Sequence, residues 1–332
     1  MVAARLEGHQ TNDDLTLTIP EIIDSLARGD NSDVEAFFCP LEFAKSIEDC
    51  RVSFSAFHIA IDANGRTVMA RLMDFMLHSI LDYAIPRSAI EAAHNEYEKS
   101  KSTSKITRLH EQARRLFTPV ATSGEGGELL LFLFAERVLG LPQIMCKMDL
   151  KTSGSMHFHG IDGIHIGPGN APGELALYWG ESKMHATYSA AINNCFSDIS
   201  KYLLADGSLK AATARDLQLL QRKIQLSSKD LDDALAAFFD PDNVAFNSVE
   251  FRGVCLIGFD ASDYPAPSEQ RAEAAVHASL LTNVEKWKSS LSRAAKTHGI
   301  SSIHIDAFCV PVPSADRFRD EFRGHLGLTN GA

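Results

Sequence analysis

The stretch GIDGIHIGPGNAPGELALYWGESKMH, residues 160–185, decides the fold. It holds two short apolar runs with the pattern of β-strands, which we predict at 160–166 and 174–183. A segment rich in glycine and proline separates them, and such a segment favours a turn. The stretch therefore predicts an antiparallel pair of strands.

Besides Glu174 at the start of the second strand, three charged side chains interrupt this apolar pattern. Side chains alternate between the two faces of a strand, so Glu181 and Lys183 project on the same side of the second strand. The turn can bring Asp162 of the first strand close to Glu181. Two carboxylates held together repel unless a cation neutralises them, and Mg²⁺ is commonly held by one or two carboxylates, waters and a substrate phosphate. The Lys183 ammonium can then orient the attacking water or stabilise the transition-state charge.

A third carboxylate precedes the pair. The run GGELLLFLFAERVLG, residues 126–140, is predicted to be helical from 128 to 139, with Glu128 on the stripe that faces the core. A carboxylate at a helix start is also explained as a cap or as a partner of the helix dipole. In combination with Asp162 and Glu181, we expect Glu128 to be a third acidic ligand of the same metal.

The order of these residues resembles the PD-(D/E)xK nuclease superfamily, which has a helix Glu, a strand Asp, and Glu-x-Lys at the end of the next strand. Glu128, Asp162, Glu181 and Lys183 match the four positions, although no proline precedes the aspartate. The phrases GIDGIHI, YWGESK, RGVCLIGFD and CVPVPSADRFRDEF are similar to the HamA family, the effector subunits of Hachiman anti-phage systems. This resemblance covers about 123–326 well.

The resemblance implies a fold and an activity. The fold would be α/β, with a mixed central sheet flanked by helices, a restriction-endonuclease-like core at 121–332 and a mostly helical N-terminal section at 1–120. The activity would be that of a metal-dependent DNA endonuclease in anti-phage defence, with Mg²⁺, or Mn²⁺ in its place, bound by Glu128, Asp162 and Glu181. The implied partner is a HamB-type superfamily-two helicase, which holds the nuclease inactive until phage-associated DNA is sensed.

Two other interpretations remain open. His157, His159 and His165 surround Asp162 in an H-x-H-x-x-D-x-x-H pattern that resembles a zinc hydrolase cluster, since imidazoles are good zinc ligands. The same histidines are also explained as surface groups or as neighbours of the site that do not touch the metal. The second alternative is a non-catalytic regulatory or scaffold subunit of a defence complex, which the intact Glu-x-Lys pair disfavours.

Composition limits the other classes of protein. The formal net charge of −11 argues against a chain that coats nucleic acid by itself, so a local basic patch or a partner would have to bring in DNA. Six scattered cysteines without a Cys-x-x-Cys pair indicate reduced thiols. The start lacks the pattern of a signal peptide, and no apolar run approaches the roughly 20 residues of a membrane span. We therefore expect a cytoplasmic protein with no membrane partner.

The remaining predictions concern the helices around the sheet. The sequence predicts a loosely ordered start up to about residue 34, with one short helix near 19–26. It also predicts a single polar helix at 88–117 and a single long helix at 268–298. Lysines and arginines dominate the segment 99–115, which favours an ordinary solvated helix face over a phosphate-facing surface.

Overall fold

A computed structural model describes residues 18–146, 148, 160–203, 211–223 and 229–328 of the chain. Within these ranges, one sheet is formed by the strands β1 (Phe38–Ser46), β2 (Val52–Ile59), β3 (Gln143–Met145), β4 (Gly163–Pro168), β5 (Leu175–His185), β6 (Val249–Asp260) and β7 (Ile305–Val312). Their order across the sheet is β1-β2-β7-β6-β5-β4-β3. The predicted α/β fold with a mixed central sheet is confirmed, and this sheet is compatible with a restriction-endonuclease-like core.

The centre of the sheet is parallel and its two margins are antiparallel. Strands β2, β7, β6 and β5 run parallel to one another, whereas β1 pairs antiparallel with β2, and β4 pairs antiparallel with both β5 and β3. Parallel strands are covered on both faces and read as continuous apolar runs. The sequence VCLIGF in β6 is such a run, and its side chains are buried.

Helices flank the sheet. They are α1 (Ile19–Leu26), α2 (Ser32–Glu35), α3 (Met69–His78), α4 (Ile80–Ala84), α5 (Arg87–Ser100), α6 (Ser104–Arg115), α7 (Glu125–Leu133), α8 (Tyr188–Ile199), α9 (Ala211–Lys223), α10 (Lys229–Phe238), α11 (Glu273–Leu281), α12 (Val284–Thr297) and α13 (Ala315–His325). A π-helical segment, Phe134–Val138, extends α7, and a short 3₁₀ helix, Val244–Ser248, precedes β6. None of the helices in the described ranges has the length and apolar character needed to cross a membrane.

Two helices that matter for the site cover opposite faces of the sheet. A Cβ atom added to Gly180 of β5 would lie 3.2 Å from Leu131 of α7. A Cβ atom added to Gly253 of β6 would lie 3.0 Å from Ile199 of α8. Gly253 pairs with Trp179, the neighbour of Gly180, and successive side chains in a strand point to opposite faces. Helix α7 therefore packs on one face of β5 and α8 packs on the other.

The helices differ from prediction in two places. The helix predicted at 88–117 is wrong, because Lys101 adopts a left-handed φ of 57° and ends α5 before α6 begins. The long helix predicted at 268–298 is also wrong, because α11 starts at Glu273 and ends before α12. Between them the Thr282 hydroxyl donates to the Ser279 carbonyl at 2.7 Å, a local bond that competes with helix continuation. The short helix predicted near 19–26 is confirmed as α1.

The sheet takes strands from both sides of the predicted domain boundary. Strands β1 and β2 come from the section 1–120, and the other five come from the section 121–332. Strand β2 pairs with β7 from Val52 to Ala56, so the N-terminal section contributes to the same core as the rest of the chain. The division at residue 120 stays a prediction.

Candidate active site

The predicted antiparallel pair is present as β4 and β5. Gly163 pairs with Gly180, and the Asp162 amide donates to the Gly180 carbonyl at 2.8 Å. The connecting turn is closed by a bond from the Gly169 amide to the Glu174 carbonyl at 2.8 Å, and Gly173 has a φ of 86°, which favours glycine. This register places Asp162 beside Glu181 on the neighbouring strand.

Ser182, the central residue of Glu-x-Lys, holds the Asp162 carboxylate. Oδ2 of Asp162 accepts a bond from the Ser182 amide at 2.8 Å and a second from the Ser182 hydroxyl at 2.9 Å. The Asp162 residue is only 8% exposed, so these bonds replace water around a buried carboxylate. This contact was not predicted, because side-chain alternation places Ser182 on the face of β5 opposite to Glu181 and Lys183.

Lys183 lies between two carboxylates. Its ammonium contacts Oε1 of Glu181 and lies 3.0 Å from Oδ2 of Asp198, which is on α8. The structure therefore brings Asp162, Glu181 and Lys183 together, as predicted, and adds Asp198. An acidic residue near the end of the helix that follows Glu-x-Lys was the signal in the sequence for this fourth group.

Burial sets the protonation of this cluster. Burial raises the pKa of Glu181 to about 8, the Asp162 carboxylate adds to the rise, and the Lys183 ammonium offsets it only in part. Burial by itself would lower the pKa of Lys183, but the Glu181 carboxylate outweighs it and the pKa is raised. Lys183 thus keeps its charge at neutral pH, and Glu181 takes up a proton at a higher pH than an exposed glutamate does when no further cation is present.

Glu128 lies in the first turn of α7, and Tyr83 of α4 holds its carboxylate. The Tyr83 hydroxyl donates to Oε2 of Glu128 at 3.1 Å. Burial and then the Glu128 and Asp162 carboxylates raise the pKa of Tyr83 well above its usual value, so both carboxylates lie near this hydroxyl. Tyr83 was not predicted, because no pattern in the sequence links α4 to the later strands.

A cavity of about 480 Å³ joins several of these groups. Its lining consists of Thr122, Gly124, Gly127, Glu128, Asp162, Ser182, Lys183, Met184, His185 and Arg319. A Cβ atom on Gly127 would lie 3.3 Å from Met184 and 3.4 Å from Ser182, so α7 lies on their side of β5. Glu181 alternates to the opposite side, where the Cys195 thiol of α8 donates to its carbonyl at 3.4 Å.

The carboxylates therefore lie on two faces of β5. Glu128 is on the α7 side, Glu181 is on the α8 side, and Asp162 is close to both. Asp162 lines the cavity with Glu128 and also raises the pKa of Glu181. Carboxylate oxygens are the donors that Mg²⁺ prefers. Among the described residues, no three His, Cys, Asp or Glu side chains lie close enough together to form a metal site. Glu181 contacts Lys183 instead, and Glu128 accepts a bond from Tyr83. The metal ligands stay a prediction.

Of the three histidines in the zinc alternative, the structure describes His165. His157 and His159 lie outside the described residues. His165 is fully buried, its Nδ1 lies 2.9 Å from the Leu141 carbonyl, and burial lowers its pKa. The Nε2 atom packs against the backbone of Gly163, where a Cβ atom would lie 2.9 Å away. His165 is thus packed in the interior on the α7 side of the sheet.

The comparison with known families agrees with the phrases in the sequence. The family model HamA matches residues 35–326, which is most of the chain, and it includes every described element from β1 to α13. No curated protein sequence matches the chain significantly. The match to a family model over this length shows that the chain belongs to the HamA family of Hachiman defence-associated proteins.

Proposed function

We propose that this chain is a metal-dependent DNA endonuclease, the effector of its defence system. The observation that carries the proposal is a pair of buried, electrostatically interacting carboxylates, Asp162 and Glu181, with the Lys183 ammonium in contact with Glu181. The Asp162 carboxylate disfavours ionisation of the buried Glu181, and a divalent cation removes that penalty. A strongly raised pKa beside a cavity is also typical of functional sites.

The metal would be Mg²⁺, with Mn²⁺ in its place, and Glu128, Asp162 and Glu181 would hold it. When bound, it would supply positive charge for the phosphoryl oxygens and lower the pKa of a coordinated water. The chemistry of the donors suits Mg²⁺, because all three residues offer carboxylate oxygens and two of them line one cavity, while Glu181 lies on the other side of β5.

The chain's own residues would orient the reaction. Ser182 fixes one oxygen of Asp162 through two hydrogen bonds, and contacts of this kind set the direction of a metal-binding carboxylate. Lys183 would hold the attacking water and stabilise negative charge on the phosphate in the transition state. Asp198 and Glu181 keep the Lys183 ammonium charged and limit its rotation.

DNA would reach this site with help from a partner. The net charge of −11 opposes association with a polyanion, so we propose that a HamB-type superfamily-two helicase binds the chain and delivers the DNA. In the same proposal, the helicase restrains cleavage until it meets DNA associated with phage infection.

The test is cleavage of plasmid DNA with Mg²⁺, by the chain alone and with the helicase. Lys183→Ala is expected to lower the rate at least about 100-fold, the usual scale for a group that stabilises transition-state charge. Lys201→Ala is the matched control, because Lys201 also pairs with Asp198, at 2.6 Å, but is 61% exposed. It should cleave at close to the wild-type rate.

Three outcomes would contradict the proposal. Cleavage that survives Lys183→Ala removes Lys183 from the mechanism. Cleavage that requires Zn²⁺ and is lost in His159→Ala favours the zinc hydrolase. Absence of cleavage both alone and with the helicase favours a regulatory or scaffold subunit.

A further inference from the structure

The cavity beside Glu128 and Asp162 also has a basic lining. Lys183 and His185 at the end of β5 contribute to it, together with Arg319 of α13. Burial and then the Lys183 and Arg319 cations lower the pKa of His185, so these three side chains lie within electrostatic reach of one another. The proposed function gives roles to the acidic groups of the cavity and to Lys183, and it leaves His185 and Arg319 without one.

The guanidinium of Arg319 is held in a fixed place. Its Nη1 donates to the Met184 carbonyl of β5 at 3.0 Å, and its Nη2 contacts the Asp316 carboxylate one turn earlier in α13. These contacts use two of the five N–H donors of a guanidinium. The side chain is 20% exposed, so it is anchored against the sheet while it still reaches the cavity.

Of the three basic side chains of the cavity, Arg319 has the positive charge that is least neutralised by its neighbours. Lys183 already lies between two carboxylates, and the lowered pKa of His185 leaves its ring mostly neutral at pH 7. The carboxylate that opposes Arg319 belongs to Asp316, whose side chain is 83% exposed. An ion pair with an exposed partner is weak, so Arg319 has positive charge to offer to a bound anion.

We propose that Arg319, with His185 beside it, forms a phosphate-binding subsite that takes one backbone phosphate of a nucleic acid next to Lys183. Arginine suits this role, because its planar fork donates two parallel bonds to a phosphate. A chain with a net charge of −11 also needs a local cation where a phosphate is to be held. The identity of the bound anion rests on the proposed function, whereas the position of Arg319 in the cavity does not depend on it.

The test is equilibrium binding of a short fluorescein-labelled DNA duplex to the full chain in EDTA, followed by fluorescence anisotropy. Arg319→Gln keeps a donor for the Met184 carbonyl and removes the charge. It is expected to weaken binding about tenfold and to reduce the slope of affinity against salt by about one. Inorganic phosphate should compete with the duplex for the wild-type chain and compete less for the variant.

Arg317→Gln is the matched control. Arg317 lies two residues earlier on α13, pairs with Glu321, is 42% exposed and is not part of the cavity lining described above. Its loss should change affinity less than about twofold, as is usual for an exposed pair. Arg319→Lys keeps a cation without the fork and should bind with intermediate affinity, and the melting temperature of each variant checks its fold.

Equal binding by Arg319→Gln and Arg317→Gln overturns the subsite, and so does a wild-type chain that binds neither the duplex nor inorganic phosphate. Plasmid cleavage with Mg²⁺, measured on the same preparations, separates this inference from the proposed function. Binding that depends on Arg319, with no cleavage by the chain alone or with the helicase, keeps the subsite and rejects the nuclease. Cleavage with an unchanged KM in Arg319→Gln keeps the nuclease and rejects the subsite.

Discussion

The proton on Glu181 is expected to compete with the metal. Burial and the Asp162 carboxylate raise the pKa of Glu181 to about 8. A divalent cation binds the carboxylate form, so the cation must displace this proton. The affinity for Mg²⁺ or Mn²⁺ should therefore rise with pH until the carboxyl is ionised and then level off.

The size of the effect follows from the shifted pKa. A carboxyl with a pKa of about 8 is about 1% ionised near pH 6 and about half ionised near pH 8. The apparent affinity should increase about 50-fold between these two conditions, which corresponds to about 2 kcal/mol. A glutamate at its usual pKa of 4.5 would be ionised throughout this range and would give almost no change.

Isothermal titration calorimetry with Mn²⁺, repeated across the pH range in buffers of different ionisation enthalpy, measures both the affinity and the protons released. Glu181→Gln removes the titrating group and should bind more weakly with little dependence on pH. Glu98→Gln is the control, because Glu98 is an exposed glutamate on α5. An affinity that does not change with pH in the wild type, or the same slope in Glu181→Gln, would refute the reasoning.

The same pKa fixes the sign of a change in stability. Because the pKa of Glu181 is raised on folding, its contribution to stability is complete below about pH 4.5 and is lost as the pH rises through about 8. Without a divalent cation, the melting temperature should therefore fall from weakly acidic to weakly alkaline pH. Mg²⁺ should reverse most of this fall, and Glu181→Gln should show neither effect.

Two further variants test side chains that contact the site, and a third tests a buried ion-pair cluster on the π-helical segment after α7. Asp198→Asn removes a carboxylate that lies 3.0 Å from the Lys183 ammonium and limits its rotation, so the rate of plasmid cleavage should fall, and an unchanged rate would contradict this. Glu136→Ala removes a carboxylate that is buried between two arginines, so urea unfolding should show a loss of about 3–5 kcal/mol, and a loss well below that range would argue against the ion pairs. Tyr83→Phe removes the hydrogen bond to Glu128 at 3.1 Å, so the free energy of unfolding should fall by about 1 kcal/mol and the affinity for Mn²⁺ should change. An unchanged affinity would place Glu128 outside the metal site.

Local patterns predicted the centre of the fold well. Strands β4 and β5 follow from alternating apolar residues and from a turn with Gly173 at positive φ, all within one short stretch. The breaks in the helices were not predicted, because each depends on one or two residues that have no helix-breaking composition. Lys101 takes a left-handed conformation that its type disfavours, and the chain at Thr282 breaks between two helices without a glycine or a proline.

Only the part of the site that lies on the paired strands β4 and β5 was predictable from the sequence. The contact of Glu181 with Lys183, and the register that sets Asp162 beside them, are consequences of pairing between neighbouring strands. Tyr83 and Arg319 reach the same cavity region from helices far away in the chain, and only the packing of those helices on the sheet brings them there. A single sequence holds no local signal for such contacts.

The pairing of β2 with β7 has a consequence for any attempt to make a minimal version of this protein. A fragment that starts near residue 121 would leave β7 without its partner strand from Ile305 to Cys309, so backbone amides and carbonyls there would be open on one side. An uncovered, apolar strand edge is a template for pairing with other copies, and such fragments aggregate. Strands β1 and β2 therefore also cover the edge of β7, and a shortened version of this protein has to keep them.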